Sequence, residues 1–581
     1  PSLPQPIIPS IEDTVIVTGT ADPLPLKEVD RTVVILPIAG REILTPTLND
    51  ALREDPSVDI RQRGAGGAQA DLSIRGATFA QSLVLLNGLR MNDAQAAHNN
   101  LDLPVPLTAI DRVEVLHGAS STFYGADAIG GVANVRTITP RASEFRLAAG
   151  GGNFGSDEER LRAGLLRGSF SELVAAERSR STGFLPDRDY RSEAASADTR
   201  LHTALGDSDL LLAASDRAFG ADQFYGNFPS WERLKGWFGA LSQQFGKNTD
   251  AAFAYRRNTD NFILFRDQPA IYANNHATTS WQAVARRVES LHSNTLAYGA
   301  EADRDHIDST NLGTHSRARG ALYADFSLRA YSRVTASFGA REEIIEGSHA
   351  VFSPSASAAW WITPSLRLRG GAAHAYRLPT YTDLYYHDPA NFGNPHLKPE
   401  SAWNVEAGPE WTPTPRLLLS STVFYRRVSN GIDYVRAAVD QPYFATNLTQ
   451  ISFVGVESTV QYAPSTHQRF TLGWTALHGD QGSLTGATSK YVFSHPSQNA
   501  VVTWTGALGK ELLINSSLRV VQRYAADPYP VLDSGVARSA GRIRPYVRFA
   551  NLTNTAYQEI FAVPMPGRSV VAGIELVTGA R

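Results

Sequence analysis

The sequence predicts a transmembrane β-barrel of about 22 antiparallel strands behind a compact α+β domain. Three observations carry this. From about residue 141 onward, period-2 stretches recur between turn residues, apolar on one side and polar on the other. No apolar run approaches the ~18 residues of a membrane helix. The roughly 440 residues after position 140 give about 22 strands at roughly 20 residues per strand and loop.

The alternation is specific. In "RVTASFGARE" (333–342), Val334, Ala336, Phe338 and Ala340 oppose Thr335, Ser337, Gly339 and Arg341. In "RFTLGWTALHG" (469–479), Phe470, Leu472, Trp474 and Ala476 oppose Thr471, Gly473 and Thr475. "SLRLRGGAAHAYR" (365–377) sets Leu366, Leu368 and Tyr376 against Arg367, Arg369 and Arg377. A soluble sandwich would not line its core with arginines. An apolar outside and a polar inside fit a barrel in lipid around a wet lumen. A 16-strand porin would need fewer residues and no domain in front. No short internal repeat suggests a solenoid or propeller.

Residues 30–140 follow another pattern. "LTPTLNDALREDP" starts a helix at Thr45-Pro46, with Leu48 and Leu52 at helical spacing and a stop near Pro56. "SLVLLNGLRM" (82–91) reads strand, Asn87-Gly88 turn, strand. "PLTAIDRVEVLHG" (106–118) is a short helix running into a strand, and "STFYGADAIGGVANVRT" (121–137) a Gly-punctuated turn before a strand.

Composition narrows the class. The chain has 581 residues, a formal charge of −3, 46 glycines, 21 tyrosines, 9 tryptophans and no cysteine. Without thiols there are no disulfides, thiolate metal sites or thiol catalysis. The near-neutral charge gives no reason to expect nucleic acid as a partner. The mean hydropathy of −0.22 looks soluble, but membrane barrels hide from hydropathy. The N-terminus has no basic start and no apolar run, so no signal peptide is expected in this chain. No Ser-His-Asp set stands out, and the chain is not expected to be an enzyme.

The N-terminal stretch poses a question. "PSLPQPIIPS" has four prolines in ten residues and is followed by "EDTVIVTGT", a short β-type run with no evident hairpin partner nearby. An unpaired strand on a floppy leader is an aggregation hazard unless it is kept for another chain.

"LSIRGA" (72–77), "VLLNGLRMND" (84–93) and "IDRVEVLHGASSTFYGADAIGGVANV" (110–135) resemble, in order and spacing, the plug of TonB-dependent outer-membrane transporters. "YRLPTYTDLYY" (376–386), "GNPHLKPESAWNVEAG" (393–408), "FANLTNTAYQ" (549–558) and "PGRSVVAGIEL" (566–576) are similar to that family's barrel. The resemblance covers essentially the whole chain. It departs at Asn87 (usually Asp), His117 (commonly Arg), Ala133 (commonly Ile) and the terminal "VTGAR", which lacks the usual aromatic.

The resemblance implies a flexible segment 1–28, a plug at 29–140 inside the lumen, and a barrel at 141–581. Asp13, Thr14, Val15, Ile16, Val17 and Thr18 resemble the TonB box, especially that of cobalamin transporters. The implied partners are the TonB energy-coupling complex of the inner membrane, outer-membrane lipid and a surface lipoprotein. The chain is expected as a monomer in the outer membrane of a Gram-negative bacterium. A signalling receptor would need a folded domain before "DTVIVTG", and only twelve residues precede it. Gly76, Gly88, Gly118, Gly125, Gly130 and Gly131 are expected to shape the plug. Arg75 and Glu114 should be paired with wall residues.

The cargo implied is scarce and bulky. "NDAQAAHNNLDLP" (92–104) looks like the plug loop of cobalamin-type receptors, which makes Asn92, Gln95, His98, Asn99 and Asn100 candidate ligand residues. "FGADQFYGNFPSWE" (219–232) also resembles that subgroup; Phe224, Tyr225, Phe228 and Trp231 give either a surface for a corrin ring or an interfacial girdle. Asp187, Asp189 and Asp222 lie on neighbouring loops and suit calcium, against a solvated acidic tip. Haem is the rival cargo, with His98, His387 and His396 as candidate axial ligands. Ferric siderophores are a further alternative. No covalent cofactor is expected.

Overall fold

The computed structural model describes residues 16–17, 24–26, 29–331, 333–480, 484, 486–509, 511–524 and 526–579. Twenty-two antiparallel strands close into a barrel. The first, Glu144–Gly152, pairs with the last, Ser569–Thr578, so no sheet edge meets lipid. Among the described residues no helix is long and apolar enough to cross a membrane.

The alternation expected of the wall is present. On Leu366–Arg377, Arg367 and Arg369 are 6% and 8% exposed while Leu368 is 40% exposed. Phe338, Phe470, Leu472 and Trp474 likewise face outward. Tyr376 departs from its expected side: it is buried with Ala126, Ile345 and Leu378, where the strand end meets the plug.

The two rims differ. At the rim where the barrel begins and ends, connections such as 168–169, 204–205 and 292–293 are tight turns. The opposite rim carries the long connections 378–399 and 551–568. Short periplasmic turns and long outer loops orient the molecule.

The lumen holds a five-stranded sheet built from Val33–Pro37, Ile110–His117, Gly131–Thr137, Ser82–Leu86 and Leu89–Arg90, in that order. Among the described residues Val33–Pro37 is an edge, paired only with Ile110–His117. A separate hairpin joins Val58–Gln62 to Ala70–Ile74. The helix Leu48–Leu52 starts one turn later than Thr45-Pro46 suggests. Thr47 is its N-cap, and Asp50 closes a capping box. Asn87 (φ 52) and Gly88 (φ 87) form the expected tight turn. The Gly-punctuated stretch also contains a one-turn helix, Ser121–Tyr124, which the glycines around it obscured.

Two glycines decide packing. Gly76 (φ +66) lies so close to Leu477 of the wall that any Cβ would collide with it, and a Cβ on Gly130 would strike Ala77 and the Ile74 carbonyl. Arg75 (φ 52) sits in the left-handed region. Its guanidinium is held by the wall carboxylates Glu406 and Glu457. Glu114 pairs within the plug, with Arg112 at 2.7 Å and Asn134 at 3.3 Å.

Candidate functional site

The plug loop 92–104 faces the outer rim. Its amides are largely spent on holding its own shape. Asn92 Oδ1 accepts from the Val84 N–H at 2.9 Å, and its Nδ2 donates to the Ser82 carbonyl. Asn100 Oδ1 accepts from Asp93 N at 3.0 Å, and its Nδ2 donates to the Phe79 carbonyl. Gln95 Nε2 donates to Asp260 of the wall at 2.7 Å. Asn99 is buried. Short polar side chains that satisfy backbone groups are the chemistry of an irregular loop. The side-chain amides of Asn92, Gln95 and Asn100 thus brace the loop, and Asn99 is packed beside them.

His98 stands apart. Its side chain is 20% exposed, and its ring stacks on Phe79 with centroids 4.2 Å apart. Tyr491 meets both rings edge-on, 5.8 Å from His98 and 5.1 Å from Phe79. Nδ1 lies 2.7 Å from Asp71 Oδ1, and Asp71 in turn lies 3.5 Å from Arg63. Burial holds His98 below its usual 6.5, against the pull of Asp71. A neutral ring facing an ionised carboxylate must donate from Nδ1. Nε2 then keeps its lone pair, and among the described residues no hydrogen bond occupies it. A carboxylate that orients the far nitrogen of an imidazole is the arrangement found behind metal-bound histidines.

Further aromatic side chains lie on the outer side of the molecule. Lys490 lies 5.3 Å from the rings of Tyr443 and Tyr491, and Arg436 4.6 Å from that of Tyr443. Tyr225 is 41% exposed and donates to Gln69 or Glu232, each at 2.8 Å. Phe228 is half-exposed against Phe265. The other two candidates of that stretch lie elsewhere. Phe224 is buried in loop core with Phe219 and Ala221. Trp231 alternates with the inward-facing Glu232, which puts it on the girdle side of the wall. His387 and His396 are exposed on the 378–399 loop, His387 against Phe392.

Asp187 and Asp189 sit on an outer connection and Asp222 ends the strand Gly206–Asp222; two of the three meet a cation of the chain. Arg266, from the neighbouring 264–272 loop, lies 3.1 Å from Asp187 and 3.0 Å from Asp189. Asp222 accepts from Gln223 at 2.9 Å. The Arg266 guanidinium thus pairs with two of the three aspartates proposed for calcium. Among the described residues no three His, Asp or Glu groups converge to hold a metal.

Of the N-terminal strand, Asp13, Thr14, Val15 and Thr18 lie outside the described residues. Ile16–Val17 has a partner after all: it pairs antiparallel with Leu24–Pro25. Proline contributes no N–H to that ladder, which keeps it short. Sequence reasoning passed over it because a two-residue ladder ending in proline carries no hairpin signature. It also passed over Asp71, Phe79 and Tyr491, whose approach to His98 is made by tertiary structure alone.

A plugged barrel of this size, with long outer loops and an N-terminal strand ahead of the plug, defines an outer-membrane receptor. Comparison with known proteins gives the family. Residues 136–565 match the TonB dependent receptor-like β-barrel, and residues 41–132 match the TonB-dependent receptor plug domain. The chain belongs to the TonB-dependent receptor family, which is made up of transporters and receptors. It is 25% identical over 485 residues to a vitamin B12 transporter of Photobacterium profundum, covering 78% of this chain and 77% of that one. Among solved structures it is similar to the siderophore receptor PirA of Acinetobacter baumannii (TM-score 0.76, 15% identity, 94% and 98% of the chains). It is also similar to the Serratia marcescens hemophore receptor HasR, solved with its hemophore and heme (TM-score 0.78, 16% identity, 95% and 99%).

Proposed function

We propose that this receptor imports a bulky metal macrocycle, a cobalamin-type corrinoid, across the outer membrane. The observation that carries the macrocycle is His98: an imidazole whose Nδ1 meets the Asp71 carboxylate at 2.7 Å and whose ring stacks on Phe79 beneath the outer loops. The aromatic mouth suits a flat, amphipathic ring. The likeness to a vitamin B12 transporter favours corrin as the ring. Haem is the second reading, because the same Nε2 is a good axial iron ligand.

The mechanism follows from energetics. Ligand binding biases the plug only through its differential affinity for the plug's states. The outer membrane holds neither ATP nor an ion gradient, so the work comes from the inner membrane. The coupling protein TonB takes the strand at 13–18 by β-augmentation, gripping backbone rather than side chains. The pairing of Ile16–Val17 with Leu24–Pro25 must first be exchanged for the partner's strand. Titration of the purified protein with cyanocobalamin and with haemin tests the cargo. Tight cobalamin binding supports the first reading. Haem binding lost in His98→Ala decides for the second, and binding of neither removes the macrocycle.

A further inference from the structure

Two wall carboxylates depend on the plug for their partners. Glu457, on the strand Tyr443–Ser465, accepts from Arg75 Nε at 3.0 Å and from Ser57 Oγ at 2.6 Å, and it meets His117 Nδ1 at 3.0 Å. Glu406, on Glu400–Thr414, pairs with Arg75. Among the described residues neither acid has a partner from the wall. Both side chains are largely buried, at 15% exposure for Glu406 and 8% for Glu457. Motion that carries off Arg75 therefore strands two acids in the lumen. Breaking a buried pair in this way is destabilising because the charge left behind is uncompensated.

An unused cation lies beside them. Arg426 belongs to Leu417–Arg436, the strand between those two. Its register partners are Asn404 and Phe453, while Glu406 is the partner of Phe424. Arg426 and Glu406 are thus diagonal neighbours, within reach of a long side chain. Arg426 is 1% exposed. Yet among the described residues no hydrogen bond or ion pair engages it, and its Nε and Nη2 are buried without an acceptor. Arg63, Arg188 and Arg256 are also buried with orphan nitrogens, but each still reaches a carboxylate or a carbonyl. Arg369, on the other flank of Glu406, is 3.7 Å from Glu410.

Arg426 has only a ring to rest on. Its guanidinium lies 4.5 Å from the centroid of Phe453, and that of Arg75 lies 4.6 Å from Phe424. Both rings belong to one apolar cluster, on which Ala119 and Ile129 of the plug pack. A ring face is a weak substitute for water or a counter-ion around a full charge.

We propose that Arg426 is a reserve counter-ion: when the plug moves and takes Arg75 with it, the Arg426 guanidinium leaves Phe453 and pairs with Glu406. The handover keeps Glu406 neutralised in both states of the plug. In the resting state the same spare charge works against closure, because Arg75 and Arg426 are like charges held close in an apolar setting. Both effects favour opening, and neither alters what the mouth binds. Plug motion is part of the import reading above, on which this rests; the route of the ligand does not enter.

Two measurements on the purified, full-length protein test the handover. The first is a crystal structure of Arg75→Gln, which removes the plug's cation. Arg426 should lie within about 4 Å of the Glu406 carboxylate, turned away from Phe453. Arg426 still on Phe453, with Glu406 unpaired, overturns the proposal. The second is thiol labelling. The chain has no cysteine, and Ser73→Cys, buried in the plug, reports opening. Arg426→Gln in that background should label roughly tenfold more slowly than its parent, within the range of coupling between neighbouring charges. Arg426→Lys keeps the charge and should label as the parent does. Core substitutions mostly destabilise, so the sign is diagnostic: equal or faster labelling in Arg426→Gln overturns the proposal, as does slow labelling in Arg426→Lys. With Arg75→Gln also present, Arg426→Gln should lose its slowing effect, since Arg426 then serves Glu406 in both states; an undiminished effect overturns it too. Neither measurement involves Asp13–Thr18, so full uptake by a form lacking them removes the import reading and leaves the handover to stand or fall on its own.

Discussion

His117, a plug residue outside the membrane-spanning strands, gives a pH-dependent fastening that can be worked through. Its side chain is 2% exposed. Nε2 lies 2.7 Å from Asp55 of the plug and Nδ1 3.0 Å from Glu457 of the wall. Burial alone would neutralise the ring. The two carboxylates outweigh burial and raise its pKa from 6.5 to about 9. A pKa raised in the folded state adds stability that is complete below about 6.5 and is lost as pH climbs through about 9. At 1.36 kcal/mol per pH unit, the rise is worth about 3 kcal/mol. Opening of the plug should therefore increase on the order of 50- to 100-fold between pH 7 and 10. Ser73→Cys, buried in the plug, supplies the probe: its labelling rate, normalised to the unfolded protein at each pH, reports opening. His117→Gln should label faster at pH 7 and lose the step. An equal step in His117→Gln, or one centred near 6.5, would refute the reasoning.

Other substitutions test the remaining fastenings. Arg75→Ala leaves Glu406 and Glu457 without their shared cation and should cost about 3–5 kcal/mol of plug stability, read by the same labelling. Gly76→Ala combines a left-handed φ with a Cβ driven into Leu477; about 1–3 kcal/mol should appear as a lower melting temperature. Calcium and a chelator should leave ligand affinity unchanged, because Arg266 already pairs with both Asp187 and Asp189; calcium-dependent tightening in a titration would contradict that. Ile16→Pro should reduce uptake far more than Ile16→Ala, since proline removes a backbone donor; equal losses would assign the grip to side chains.

The wall was legible because lipid and water enforce opposite rules on alternate residues. Arg367 against Leu368 is such a case, and no other environment explains it. The plug's strands and its Asn87-Gly88 turn were legible for local reasons, turn chemistry above all. The ligand residues were harder. An amide in "NDAQAAHNN" can face a ligand or brace its own loop, and the sequence does not say which. Asn92 and Asn100 brace. Trp231 could serve mouth or girdle until strand parity was known. Asp187 and Asp189 read as a cation site because their partner, Arg266, lies on another outer loop and meets them only in the folded barrel. His98 was legible as a candidate, but its neutrality and the carboxylate behind it belong to tertiary packing.

Energised import through the N-terminal strand is the central claim, and one comparison tests it most directly. Cells that depend on this receptor are given labelled cobalamin, with the intact chain or with Asp13–Thr18 removed, and surface binding and internal label are counted separately. The account predicts equal surface binding and no internal label in the deleted form. Full accumulation by the deleted form would contradict it.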